Sequence, residues 1–212
     1  MNRTGHSPTF HGLAMVLVLG VMLSSKALSH CPAKPSPTGS HVAEMAEPEI
    51  DKSPVWAMIY GRYLYLLGRE MFWPDIDRLD RFRIAVVNWP DLAKDLGDRL
   101  DGRAIAGLPV EITPFDAQGF GSEKSDFTIV FVGGSLEAEE ERALSDGLGR
   151  WLKKANRAAL VITDGAALNG HDLAFKRMKD GTGLSLCLQT HEASLSAKTL
   201  ELPLHFLQKL CP

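Results

Sequence analysis

The chain has few cysteines, no surplus of positive charge and no long apolar run beyond its first 29 residues. Each absence excludes something. A net charge of −3 with a pI near 6.2 leaves no electrostatic footprint for nucleic acid or for an anionic membrane surface. Without a second apolar run, no stable membrane insertion is expected after the N-terminal segment. Catalytic signatures are missing too. There is no Gly-x-Ser-x-Gly elbow, and no Lys-Ser or Lys-Thr stands at P-loop spacing. His191-Glu192 begins like a zinc-protease motif, but Leu195 stands where the second histidine belongs. No other His, Cys or Asp pair shows metal-ligand spacing. The chain is therefore not read as an enzyme. No catalytic, cofactor-binding or metal-ligating residue is assigned, and no cofactor is expected.

What is present first is a three-part leader. Arg3 lies in a polar start, Leu13 to Leu23 is a short apolar run, and Ser24 to Ser29 is a small-residue tail in which Ala27-Leu28-Ser29 fits the signal-peptidase rule. The expectation is a signal peptide over residues 1–29, a mature start at His30 and a periplasmic address. Removing Arg3 and Lys26 takes the net charge from −3 to −5. His30 before Cys31 is bulky where lipoprotein signals want a small residue, so lipid anchoring is disfavoured. Cys31, Cys187 and Cys211 allow three single bridges in an oxidising compartment. The reading leans to Cys187–Cys211 and leaves the others open.

Residues 30–52 hold Pro32, Pro35, Pro37 and Pro48 among small polar residues, and read as a flexible lead. A single domain is expected over 53–212. Ser53-Pro54 opens a helix by capping and by proline at its first position. Val55, Ile59 and Leu66 share one face of it, with Trp56, Tyr60, Tyr63 and Leu67 beside them. It ends near Phe72-Trp73-Pro74. Strands are expected at Phe82–Val87, Val110–Phe115, Phe127–Val132 and Ala158–Thr163, with helices at Asp91–Leu100 and Leu136–Ala155. Asp164-Gly165 breaks the fourth strand. Leu173–Met178 and Leu184–Leu188 flank a turn, Lys179 to Gly183, that signals a hairpin. A last helix carries Leu204, Phe206, Leu207 and Leu210. This alternation predicts an α/β fold: a mostly parallel central sheet, helices on both faces and a C-terminal antiparallel hairpin.

Few residues stand out as sites. Gly133-Gly134-Ser135 joins a strand to a helix, but Glu137, Glu139, Glu140 and Glu141 follow and would repel an anion, so a Ser135 N-cap is the reading there. Asp75, Asp77 and Asp80 alternate with Arg78, Arg81 and Arg83 and read as a salt-bridged connection. Trp73 and Trp89 each precede a proline. They are either core residues or, if exposed, candidate partner-binding anchors.

The order of these pieces resembles the YfiR-like family of small periplasmic regulatory proteins. The matching segments are Ile59 to Leu64, Phe72-Trp73-Pro74, Phe82 to Val87, Gly107 to Ile112, Ile129 to Val132 and Leu160 to Asp164. The pattern departs from the family at Gly61-Arg62, at Gly170 to Phe175 and in its cysteines, which marks a divergent branch. The resemblance implies a regulator that binds the periplasmic part of an inner-membrane signalling protein, such as a diguanylate cyclase, and modulates cyclic-di-GMP output and biofilm formation. An alternative from a different class is a periplasmic small-ligand binder or enzyme using the C-terminal ends of the strands, with Asn88, Gly133, Ser135 and Asp164 as candidates. The oligomeric state is open, and a homodimer stays among the candidate partners.

Overall fold

The computed structural model describes residues 52–211, apart from 122–125, 135, 155–157, 166–167, 169 and 181–182. The expected signal peptide, Cys31, Ser135 and all of the lead but Lys52 lie outside the described residues.

Helix α1 (Pro54–Glu70) comes first, followed by a single 3-10 turn at Ile76–Arg78. Then come β1 (Phe82–Val87), α2 (Pro90–Leu100), β2 (Ala104–Ile105), β3 (Leu108–Phe115) and β4 (Ile129–Val132). Helix α3 (Ala138–Lys154), β5 (Leu160–Asp164), β6 (Leu173–Asp180), β7 (Gly183–Thr190), α4 (Glu192–Ala197) and α5 (Leu204–Leu207) complete the chain. The strands form one sheet in the order β2-β3-β1-β4-β5-β6-β7. From β3 to β6 every neighbouring pair is parallel, and the antiparallel pairs, β2–β3 and β6–β7, sit at the edges. This is the expected α/β architecture with its C-terminal hairpin.

Alternation along the strands sorts the core into two layers, because successive side chains point to opposite faces. Phe82, Ile84, Val86, Ile129, Phe131 and Ile162 face α1 and α2. Ala85, Val87, Val130, Val132 and Val161 face α3 through Leu144, Leu148 and Trp151. Each fully buried large side chain contributes roughly 1.5–3 kcal/mol. The central strands are apolar on both faces for this reason.

Helix α1 turns a different stripe inward from the one led by Val55, Ile59 and Leu66. Trp56, Tyr60, Leu64 and Leu67 are buried, whereas Val55 is 49% exposed. Two glycines set this choice. A Cβ at Gly68 would lie 3.2 Å from the Phe82 ring, and one at Gly61 would lie 3.3 Å from Leu96. The helix settles closest where it has no side chain. Its apolar band is wider than the sheet can cover, and the remainder stays at the surface.

Other departures are local. Asp164 does not break β5 but is its last residue; the turn comes at Gly165, with φ of +74°. Helix α3 starts at Ala138, and Glu140 reaches back 3.2 Å to accept from the Glu137 backbone N–H. A carboxylate at the third helical position closes the start, as in a capping box. The short elements β2 and α4 carry too little apolar periodicity to be seen in the sequence. The acidic and basic residues after α1 do form a salt-bridged connection, with Arg78 to Asp75 at 3.1 Å and Arg83 to Asp80 at 3.0 Å.

Candidate functional site

The carboxyl ends of β1, β4 and β5 bring together three of the four residues named for ligand binding. Asn88 follows β1 with φ of +60°, a left-handed conformation that asparagine tolerates better than most residues. Its side-chain amide donates to the Gly133 carbonyl at 3.1 Å, and Lys52 donates to the Asn88 carbonyl at 2.8 Å. Gly133 is required by its neighbour: a Cβ there would lie 2.7 Å from the Trp89 ring. The chain end of β4 is thus pressed against indole.

Asp164 is buried beside these residues. Tyr60 of α1 donates its hydroxyl hydrogen to one carboxylate oxygen, and Arg177 of β6 pairs with the other at 2.8 Å. Arg177 also donates through Nε to the Tyr60 oxygen at 3.1 Å. Its guanidinium lies over the Trp56 ring at 4.5 Å, and over Tyr60 and Trp89 at 5.4 and 5.9 Å. Burial pushes the Tyr60 phenol far above its ordinary range, and the adjacent Asp164 carboxylate pushes it the same way. Tyr60 therefore stays a proton donor. Burial works against the Arg177 charge, but hydrogen bonding to Tyr60 and pairing with Asp164 outweigh it, so its pKa is raised. The cluster is a closed circuit of donors and acceptors under an aromatic cover. Its partners satisfy one another, and it ties α1 to β5 and β6.

A second buried carboxylate, Asp172, lies just before β6. It accepts from the Val161 backbone N–H at 2.7 Å and from Ser194 at 2.5 Å, and it pairs with Lys198 at 2.6 Å. Lys198 also reaches the Ala159 carbonyl at 2.8 Å. This knot binds α4 to the sheet. His191, the start of the abortive zinc motif, occupies the N-cap position of α4, and its ring stacks edge-on to His171 with centroids 4.3 Å apart. Among the described residues no group of three or more His, Cys, Asp or Glu is placed to hold a metal ion.

Both tryptophans named as candidate anchors prove to be core residues. Trp73 is 6% exposed and donates its indole N–H to the Gly68 carbonyl at 2.8 Å. Trp89 is fully buried against Tyr60 and Phe131. Trp89 precedes Pro90, the first residue of α2, and Trp73 packs edge-on against Phe82 of β1. Neither ring can meet a partner in this conformation.

Cys187 and Cys211 are bonded, with an S–S distance of 2.07 Å. The bridge holds the segment after α5 against β7, where Leu188 exchanges backbone hydrogen bonds with Lys209 and Cys211 at 2.8 and 2.9 Å. Such a bond suits an oxidising compartment. No described helix is long and apolar enough to cross a membrane.

Sequence reasoning missed Tyr60, Arg177 and Trp56 as a unit. One signal was available. Leu173, Phe175 and Arg177 share a face at i, i+2 and i+4, so an arginine occupies a register position that its apolar neighbours mark as inward. No protein-family model matches the chain, and no curated protein is significantly similar to it.

Proposed function

We propose that this chain is an exported regulatory binding protein that acts in the periplasm on the external part of an inner-membrane signalling protein, such as a diguanylate cyclase. One observation carries the reading: the buried Asp164 carboxylate at the strand ends is taken up by Tyr60 and Arg177, while an apolar groove lies open on the outer side of α1. A chain built this way has more to offer to a protein surface than to a reacting group. The leader over residues 1–29, the Cys187–Cys211 bond and the order of motifs shared with YfiR-like proteins support the address and the partner class.

The mechanism is differential affinity. The domain binds one state of the membrane partner more tightly and so raises that state's population. Affinity purification of the tagged mature protein from membranes should recover a membrane-bound cyclase, and deletion of the gene should raise cyclic-di-GMP. Recovery of no membrane signalling protein, with unchanged cyclic-di-GMP, would overturn the proposal.

A second reading, a small-ligand binder at the strand ends, has one observation in its favour. Trp89 Nε1 and Thr163 Oγ1 are buried there without a hydrogen-bond partner among the described residues. Ligand-induced thermal shifts lost on Asn88→Ala substitution would favour it.

A further inference from the structure

The groove has a volume of about 880 Å³ and runs along α1, with α2 contributing to its lining together with Leu186 of β7 and Phe206 of α5. Met58, Ile59 and Leu66 of α1 and Leu96 of α2 give it an apolar lining, and Met58 is 46% exposed. Arg62, Arg99, Arg103 and Lys209 also line it, and among the described residues no aspartate or glutamate does, though Glu70 lies 3.0 Å from the lining His205. That segregation stands out in a chain whose net charge is −3. Arg99 is partly neutralised by Asp95 at 2.8 Å, but Arg62, Arg103 and Lys209 form no ion pair among the described residues.

We infer that this groove docks an acidic amphipathic helix of a partner protein; the inference rests on the regulatory reading above and names its contact surface. The distance from Met58 to Leu66 along α1 is about 12 Å at 1.5 Å per residue, which matches two turns of a docked helix. A helix laid in such a groove anchors through apolar residues at i, i+3 or i+4 and i+7. Carboxylates on its flanks meet the basic rim. Other occupants fit less well. A second copy joined through this surface by a two-fold axis would set one basic rim against another. An acyl chain would lie along a trough that is open to water, with much of its length still wet.

The test uses the full mature protein and a fluorescein-labelled amphipathic peptide, with leucine at the anchoring positions and glutamate elsewhere, read by fluorescence anisotropy. The acidic peptide should bind, more weakly as salt rises, and its counterpart with lysine in place of glutamate should not. Arg62→Glu combined with Arg103→Glu should raise the dissociation constant roughly tenfold, the effect of turning attractive rim pairs repulsive. Both positions lie at the surface, and circular dichroism verifies that the variant is folded. Equal binding of the two peptides, or unchanged binding by the folded variant, would overturn the inference. So would displacement of the acidic peptide by dodecanoate at concentrations below its micelle point, or a dimer that Met58→Glu dissolves. Membrane purification separates this inference from the functional proposal. If wild type and the double variant recover the cyclase equally, the groove fails and the regulatory reading stands. If the wild type binds the acidic peptide but recovers no signalling protein, the groove stands and that reading fails.

Discussion

Asp164 and Asp172 are both carboxylates sunk into the protein, one at each end of the connection between β5 and β6, and they are held in contrasting ways. Asp172 is locked into backbone. Its own N–H and carbonyl bond to Val161 and His191 at 2.8 and 2.9 Å, and its side chain takes a backbone N–H, a hydroxyl and an ammonium. Asp164 is held by side chains alone among its side-chain bonds, one of them from a tyrosine 104 residues away. The first arrangement fixes the position of α4. The second ties α1 to the sheet through side chains from three elements, and α1 is the helix whose outer side contributes to the groove. A structural knot and a coupling point can therefore use the same residue types, and the source of the donors tells them apart.

Mutations can break this contrast. The largest effect is expected for Asp172→Ala. It strands the Lys198 ammonium against a carbonyl and leaves the Val161 N–H without its carboxylate, a loss of about 3–5 kcal/mol. Urea unfolding measures it, and a loss below about 1 kcal/mol would remove the knot from its structural role. Arg177→Ala should cost less, about 2–4 kcal/mol, because the carboxylate it leaves keeps the Tyr60 hydroxyl as a donor, whereas Asp172→Ala removes the acceptor of three donors at once. Arg177→Lys keeps the charge but loses the planar contact with Trp56, so it should restore only part of the loss. If Arg177→Ala also weakens peptide binding while Asp172→Ala, at a temperature where it stays folded, does not, the coupling is confirmed as distinct from the knot.

Reduction of the Cys187–Cys211 bond, or serine at both positions, should cost about 2–4 kcal/mol, the range for a loop of this size. Amide exchange should rise at Leu188 and Cys211, whose hydrogen bonds the bridge protects.

The smallest effect belongs to Tyr60→Phe, about 1–2 kcal/mol at neutral pH for the hydrogen bonds its hydroxyl donates to Asp164 and accepts from Arg177. Its signature lies in alkali. The folded phenol titrates above the unfolded one, so its contribution is fully present below pH 10 and falls as pH rises beyond that value, where only the unfolded chain loses the proton. Urea midpoints at pH 9 and pH 11 should fall less in the variant than in the wild type. Equal slopes would mean that Tyr60 is not the buried donor described above.

Much of the fold was legible because periodicity reports faces. Phe82 to Val87 and Ile129 to Val132 are continuous apolar runs because both faces of a central strand are covered. The hairpin was legible from the turn residues between Met178 and Leu184. The site was less so. Asn88, Gly133 and Asp164 could be placed at strand ends, but Tyr60 looked like one more aromatic on an apolar helix. Trp73 and Trp89 carried no mark of their burial, since the same Trp-Pro pair suits a core or an exposed turn. The sequence does not single out the inward stripe of α1, because nearly every position on that helix is apolar, and small residues rather than large ones decide the contact.

The sequence by itself determined the α/β class and the order of the main strands and helices, because local pattern is a property of the sequence alone; that Cys187 rather than Cys31 bonds Cys211 was decided by the tertiary structure. Only the tertiary structure decided which side of α1 is buried, that Asp164 closes on Tyr60 and Arg177, and that four basic residues gather around an open groove. Those outcomes join groups far apart in the chain, and a buried charge settles where donors from several elements meet, which no single segment specifies.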